Sequence, residues 1–244
     1  MSVVQITPPV RALVRKELRE YRQHRMIVLT ATFLPIAFLF LPVMNLVLYD
    51  ADRAIGGVDF AVGQAMFCFF LTPVIIPATM AAYSVIGERD QGTLEPMLTL
   101  PMDDREFLAG KVLAIVGPAV GATWLIFSLY YVMVLAVVDD PVRGTALDPA
   151  WVFAMVLMAP LMAVFSTLTG MAFSARSKDV RVAEHLSGLV LLPSMFPILL
   201  VVTNAIPATV LTWIVVAVVV GLVDAALWRV ALRAFDRERA ISTV

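Results

Sequence analysis

Three ionisable residues within or beside the apolar runs are the first candidates for chemistry: Glu184, His185 and Asp224. An intramembrane enzyme would need groups of this kind to converge as acid, base or nucleophile. No serine–histidine arrangement or metal-ligand spacing accompanies them, so we predict no catalytic residue and no metal site. Asp224 has two interpretations. We favour a structural ion pair with Arg181 or Arg229 at the basic end of its helix over a polar vestibule.

Phosphate chemistry is not supported by the glycine pattern. A Walker loop needs an upstream glycine and a Gly-Lys-Ser/Thr sequence to surround phosphate groups. The only Gly-Lys pair, Gly110-Lys111, lacks that glycine and is followed by Val112. The chain is therefore predicted to hold no ATPase site of its own.

The composition indicates a membrane protein. Of the 244 residues, 61% are hydrophobic and 15% are charged, and the mean hydropathy is +0.90. Soluble domains carry about 25% charged residues. The net charge of -1 identifies no partner, and we predict no nucleic-acid partner. The single cysteine, Cys68, excludes an internal disulfide, and we interpret it as a small buried hydrophobe.

Six helices are predicted to cross the bilayer. Each crossing takes roughly 20 residues. The charge-free run 186–223 is too long for one helix, and the polar, proline-containing sequence 203–207 divides it. We therefore predict one all-α membrane domain, residues 1–244, with spans at residues 26–49, 62–87, 109–138, 150–175, 184–202 and 208–233.

The distribution of positive charge orients these spans, because Lys and Arg accumulate on the cytoplasmic side of membranes. Of the 18 Lys and Arg residues, only Arg53 and Arg143 fall on one predicted face, and all others fall on the opposite face. This division predicts that both termini are cytoplasmic in a multi-pass protein of the cell membrane.

Residues 10–25 precede the first span and have a helical apolar pattern. Val10, Val14, Leu18 and Tyr21 recur at spacings of four, four and three, with basic residues between them. We predict a cationic amphipathic helix in the lipid headgroup layer. The alternative is a positive flank that only fixes the topology.

Residues 88–106 form a polar segment between the second and third spans. Its charges exclude it from hydrocarbon, so it must emerge at one membrane face. The sequence 93–100 would form a short helix with Leu94, Met97 and Leu98 on one side, entered at Gly92 and ended by Pro101. This pattern fits either a docking helix or a solvated loop.

The sequence Glu88-Arg-Asp-Gln-Gly-Thr-Leu-Glu95, followed by Pro101 and Gly110-Lys111, resembles the type-2 class of ABC exporter permeases. That class includes bacterial drug, polysaccharide and sodium exporters and the G-type ABC exporters. The N-terminal helix, six spans and chain length extend the resemblance over nearly the whole chain. It implies a coupling helix within 88–106 and an elbow helix at 10–25. A departure concerns the last two spans, where a re-entrant segment would have to use 198–207.

The resemblance also implies partners and contact residues. A separate ABC ATPase in two copies would bind ATP and magnesium, so this chain needs no cofactor. A second permease copy or a sister permease, together with membrane lipids, completes the assembly. A second cytoplasmic loop contributes Arg176, Lys178 and Asp179. The implied ATPase contacts are Glu88, Gly92, Thr93, Leu94, Glu95, Leu98 and Pro101.

In the resembled family, the second and fifth spans line the transport path. Candidate path residues are therefore Phe67, Phe70, Met195, Phe196 and Asn204, with helix or lipid packing as the alternative role for the apolar ones. The implied function is an exporter subunit for a lipid, a drug-like amphiphile or a hydrophobic peptide. The alternatives are efflux of sodium or another small ion by the same class, and an intramembrane lipid-modifying enzyme. An ion-driven secondary transporter usually shows inverted repeats, and none is apparent.

Overall fold

The computed structural model describes residues 8–49, 56–90, 103–176, 182, 186, 188 and 195–234. Within these residues the regular structure is entirely helical, which confirms the predicted all-α class. Residues 195–202 are also helical. The bounded helices are α1 (Pro8–Gln23), α2 (Arg25–Val47), α3 (Gly57–Asp90), α4 (Asp104–Val137), α5 (Val142–Ala146), α6 (Pro149–Arg176) and α7 (Val210–Ala234).

Five segments are long and apolar enough to cross a membrane: Ile27–Val47, Gly57–Ser84, Asp104–Val137, Val142–Ser174 and Val210–Leu232. Of the predicted span at 184–202, the structure describes only residues 186, 188 and 195–202. The count of six spans therefore stays a prediction. Helices α3 and α6 are the most buried of the five, whereas α2 and α7 present most of their apolar surface outward.

Helices α3 and α6 form the most extensive helix pair of the bundle. A Cβ atom added at Gly170 would lie 2.7 Å from the Cβ atom of Ala81, so only glycine permits this approach. Two serine hydroxyls of α6 donate to backbone carbonyls of α3: Ser166 to Val74 at 2.5 Å, and Ser174 to Ala82 at 2.7 Å. Small residues and hydroxyl bridges are the usual means of joining helices in a membrane.

The last described helices pack against this pair in the half of the bundle that holds the first turns of α3 and α6. Trp213 of α7 is fully buried, with its ring centroid 5.3 Å from that of Phe70 and 5.7 Å from that of Trp151. A Cβ atom at Gly63 would lie 2.7 Å from the carbonyl oxygen of Val202. These contacts connect α3 and α6 with α7 and with the helical residues 195–202.

The connection between residue 202 and α7 is a short turn. The amide of Ile206 donates to the carbonyl of Leu200 at 3.1 Å. The hydroxyl of Thr212 donates to the carbonyl of Pro207 at 2.8 Å. Residues 203–209 thus hold turns and irregular structure between the helical residues 195–202 and α7.

Candidate functional site

The flanks of the predicted coupling segment are the ends of two long helices. Helix α3 continues to Asp90, and α4 begins at Asp104. Residues 88–90 and 104–106, which the sequence assigned to the segment, are thus helical. Below these ends, the Nζ atom of Lys111 donates to the carbonyl oxygen of Ser84 at 3.0 Å. At 1.5 Å per residue, each helix extends about 9–10 Å beyond this bond toward the segment.

Helix α1 lies against the first turns of α4. A Cβ atom at Gly110 would lie 2.7 Å from the Cδ2 atom of Leu13, so the missing side chain lets the two helices approach. The buried residues of α1 are Val10, Leu13, Glu17 and Tyr21.

The buried side of α1 differs from the apolar side predicted from the sequence, which contained Val14 and Leu18. Val14 and Leu18 are only half-buried, and Glu17 occupies a buried position. The buried residues of α1 recur at spacings of three, four and four, because this side of the helix faces α4. The helix is amphipathic, but its most buried side faces protein.

The amine of Lys111 holds α1, α3 and α4 together. Its Nζ atom lies 3.3 Å from the Oε1 atom of Glu17, in addition to its bond to Ser84. It also lies 5.5 Å from the centroid of the Phe107 ring. Lys111 is fully buried and Glu17 is 1% exposed. A carboxylate, a carbonyl and an aromatic face together compensate the buried cation. We call Glu17, Ser84 and Lys111 the three-helix junction.

The ionisation of Glu17 is set by opposing effects. Burial raises the pKa of its carboxyl, but the positive charges of Lys111 and Lys16, together with hydrogen bonds to the carboxyl, more than offset this, so the pKa lies below its ordinary value. The Nζ atom of Lys16 lies 3.4 Å from Glu17 and 3.0 Å from Glu20. Glu17 is therefore a carboxylate at neutral pH, and its contact with Lys111 is an ion pair.

The junction supplies attachment rather than reaction chemistry. Its carboxylate and amine neutralise each other and are closed to water, so neither is available as a base or a nucleophile. Each group also joins a different helix, with α1 through Glu17, α3 through Ser84 and α4 through Lys111. Among the residues described, no group of three His, Cys, Asp or Glu side chains forms a potential metal site.

Sequence reasoning missed this junction. The sequence pattern presented Lys111 as one of the basic residues that orient the spans and, with Gly110, as part of the family resemblance. The available signal was its position in the apolar sequence Phe107-Leu-Ala-Gly-Lys-Val-Leu-Ala-Ile115, where a cation requires a partner. A second signal was Glu17, which shares a helical period with Val10, Leu13 and Tyr21.

Most of the predicted ATPase contacts fall outside the described residues. This applies to Gly92, Thr93, Leu94, Glu95, Leu98 and Pro101, and to Lys178 and Asp179 in the other loop. Glu88 lies in the last turns of α3, and Arg176 is the last residue of α6. The two residues are thus at helix ends that flank the predicted cytoplasmic loops.

Three of the five predicted path residues, Phe67, Phe70 and Met195, belong to one hydrophobic core or pack against it, and the other two do not. Phe70 and Met195 are buried in the core, whereas Phe196 is 58% exposed. Phe67 is half-buried. Asn204 is exposed in the turn before α7, where its positive φ of 58° fits a residue type that tolerates left-handed backbone. For Phe70 the packing interpretation agrees with its ring contact with Trp213.

Asp224 lies in α7 and is 7% exposed. The expected ion pair with Arg229 is not present, and neither carboxylate oxygen has a hydrogen-bond partner in the described part of the chain. Arg229 follows Asp224 at a spacing of five positions, and side chains on one helix meet best at spacings of three or four. Arg181, the other proposed partner, lies outside the described residues.

The chain was also compared with known proteins. The family model described as ABC-2 type transporter matches residues 9–216. The match includes α1, the three-helix junction and residues 88–106. No curated protein matches the chain.

Proposed function

Because the chain belongs to the ABC-2 type transporter family, we propose that it is the membrane subunit of an exporter driven by a separate ATPase through residues 88–106. The family assignment supports a multi-pass permease of an ABC transporter, and such permeases normally work with an ABC ATPase. The proposal adds outward transport, cytoplasmic termini, and a pair of permeases, identical or sister, with two ATPases in the cell membrane.

The observation that supports coupling through 88–106 is the three-helix junction at its base. The bond from Lys111 to Ser84 joins the two helices that lead into the segment, and the ion pair with Glu17 adds α1. A displacement of the segment therefore acts on three helices together. ATP would shift the permease between states only if the ATPase contacts differ between them.

The proposed cargo is a lipid, a drug-like amphiphile or a hydrophobic peptide. Phe196 and Leu199 expose 58% and 43% of their surface on the helical residues 195–202, and Phe67 is half-buried on α3. We propose these apolar side chains as contacts for an amphiphile. Under this proposal, Phe196→Ala weakens transport of a fluorescent lipid, whereas the similarly exposed Phe40→Ala on α2 does not.

Coupling is tested by co-expressing the chain with ABC ATPases from the same genome and reconstituting the purified complex in liposomes. We expect Leu94→Asp and Glu95→Arg to lower ATPase co-purification and ATP-dependent transport by at least about tenfold, which corresponds to roughly 1.4 kcal/mol. Arg143→Glu is the control, because Arg143 lies in the connection at the other end of the bundle and pairs with Asp140.

Two outcomes would contradict the proposal at different levels. If both variants retain the ATPase and transport as the wild type does, coupling does not use this segment. If the wild-type chain retains no ATPase and shows no ATP-dependent transport, the exporter assignment itself fails.

A further inference from the structure

An arginine stripe runs along the exposed side of α1. Arg11, Arg15, Arg19 and Arg22 follow one another at spacings of four, four and three, and all four side chains are exposed. The ion pairs described for α1 use Lys16, Glu17, Glu20 and Lys111. In the described part of the chain, none of the four arginines has a carboxylate partner. The stripe is thus an uncompensated line of positive charge.

The stripe borders an open groove of about 670 Å³. Among the described residues, its lining consists of the four arginines, Gln23 and the half-buried aliphatic side chains of Val14 and Leu18, all on α1. A smaller groove of about 380 Å³ adjoins Pro8, Arg11, Ala12 and Arg15. The surface therefore combines guanidinium groups with apolar side chains that are only partly covered.

The helix that follows the arginine stripe in the chain exposes apolar side chains. Helix α1 ends at Gln23, and α2 starts at Arg25 and exposes Val28, Leu29 and Phe33 by 43%, 61% and 70%. Cationic side chains on one helix, followed in the chain by an exposed apolar helix, match the headgroup and acyl regions of a bilayer. An acidic protein surface would neutralise the arginines but would leave Val14 and Leu18 without apolar contacts.

We propose that the arginine stripe and its groove bind the headgroups of anionic phospholipids such as phosphatidylglycerol. Guanidinium groups donate paired hydrogen bonds to phosphate oxygens, and Val14 and Leu18 contact the upper acyl chain. The buried side of α1 remains on α4 through Glu17 and Leu13. Binding at the stripe thus leaves the three-helix junction intact, and it requires no transport activity.

The test measures lipid selectivity of the full-length chain in nanodiscs that contain phosphatidylcholine and phosphatidylglycerol. The bound fraction is read from spin-labelled lipids of each type. We expect the wild type to select phosphatidylglycerol and each Arg→Gln change to lower selectivity by up to about fivefold at low salt. Added salt should weaken selectivity, because exposed charges are screened over roughly 10 Å at 0.1 M ionic strength.

The matched control is Lys16→Gln, which removes the same charge from the same helix. The Lys16 amine already contacts Glu17 and Glu20, so we expect much less effect on lipid selectivity than from Arg15→Gln. Melting temperatures show whether each variant is folded. A variant with all four Arg→Gln changes tests the whole stripe. If that variant does not fold, the comparison of Arg15→Gln with Lys16→Gln tests the proposal by itself.

Three results would overturn the proposal. Equal effects of Arg15→Gln and Lys16→Gln would show that only net charge matters. Displacement of phosphatidylglycerol by inorganic phosphate at matched ionic strength would show a general anion site. Unchanged lipid selectivity with loss of ATPase co-purification would assign the stripe to a protein partner.

Discussion

Glu17 and Asp224 are both buried carboxyl groups, but their surroundings differ. Glu17 contacts Lys111 at 3.3 Å and Lys16 at 3.4 Å. Asp224 has no hydrogen-bond partner in the described chain. The first lies where three helices meet, and the second lies within α7, which presents most of its surface outward. The difference indicates that burial alone does not determine whether a carboxyl group stabilises the fold. Its interaction partners decide whether its contribution to the free energy of unfolding is favourable or unfavourable.

The largest effect is expected from Lys111→Met. The substitution removes the buried partner of Glu17 and leaves its carboxylate with only the partly exposed Lys16, at a cost of about 3–5 kcal/mol in the free energy of unfolding. Denaturant unfolding of the solubilised chain measures it. Arg105→Met, an exposed cation on the same helix, should change this energy by less than about 0.5 kcal/mol. Similar values for the two variants would contradict the assigned role of Lys111.

An effect of opposite sign is expected at Asp224. Asp224→Leu removes two unsatisfied buried oxygens and should raise the free energy of unfolding by about 1–3 kcal/mol. Asp224→Asn, which has nearly the same volume, should lose no stability, and it controls for packing of the larger leucine. A loss of stability in both variants would show that Asp224 has a stabilising partner, and the contrast with Glu17 would disappear.

The pH dependence of stability follows from the lowered pKa of Glu17. The contribution of its ion pair is present above the unfolded-state pKa of about 4.3 and is lost as the pH falls through the folded-state value. Unfolding followed from neutral to acidic pH should show this loss in the wild type. The loss should be smaller in Lys111→Met, because Glu17 then keeps only the partly exposed Lys16 as a cationic partner. Parallel curves for the two chains would argue against the ion pair.

The smallest effect is expected from Glu20→Gln. Glu20 is 41% exposed in its side chain and pairs with Lys16 one helical turn away. Surface pairs of this kind contribute about 0.3–0.5 kcal/mol. Thermal unfolding at low salt should therefore show a decrease in melting temperature near the detection limit. At high salt this decrease should disappear. A loss comparable to that of Lys111→Met would mean that Glu20 belongs to the three-helix junction.

The long apolar helices were predictable because hydropathy sums over about 20 residues, so single positions have little influence. Helix α2 at Arg25–Val47 lies close to the predicted 26–49, and α7 at Val210–Ala234 lies close to 208–233. Helix α3 instead extends to Asp90, because helix formation can continue into the polar sequence that follows a span.

The three-helix junction was not predictable from local pattern, because Glu17 and Lys111 are 94 residues apart in the chain. Their pairing depends on which side of α1 faces α4. The apolar pattern that contains Val14 and Leu18 predicted a different side of the helix. The same dependence applies to Asp224. Its position near Arg229 suggested a partner, but the direction of its side chain follows from the packing of α7.

The close contact of α3 with α6 limits how the protein can change shape. Gly170 and Ala81 leave no space for a larger side chain, and the bonds from Ser166 and Ser174 are in register with single carbonyl groups of α3. Sliding of one helix along the other would break both bonds and force these atoms to collide. Shear between the helices is therefore disfavoured, and they would tilt as one rigid body. A spin-label distance between α3 and α6 would then stay constant during a transport cycle, while distances from this pair to α2 change.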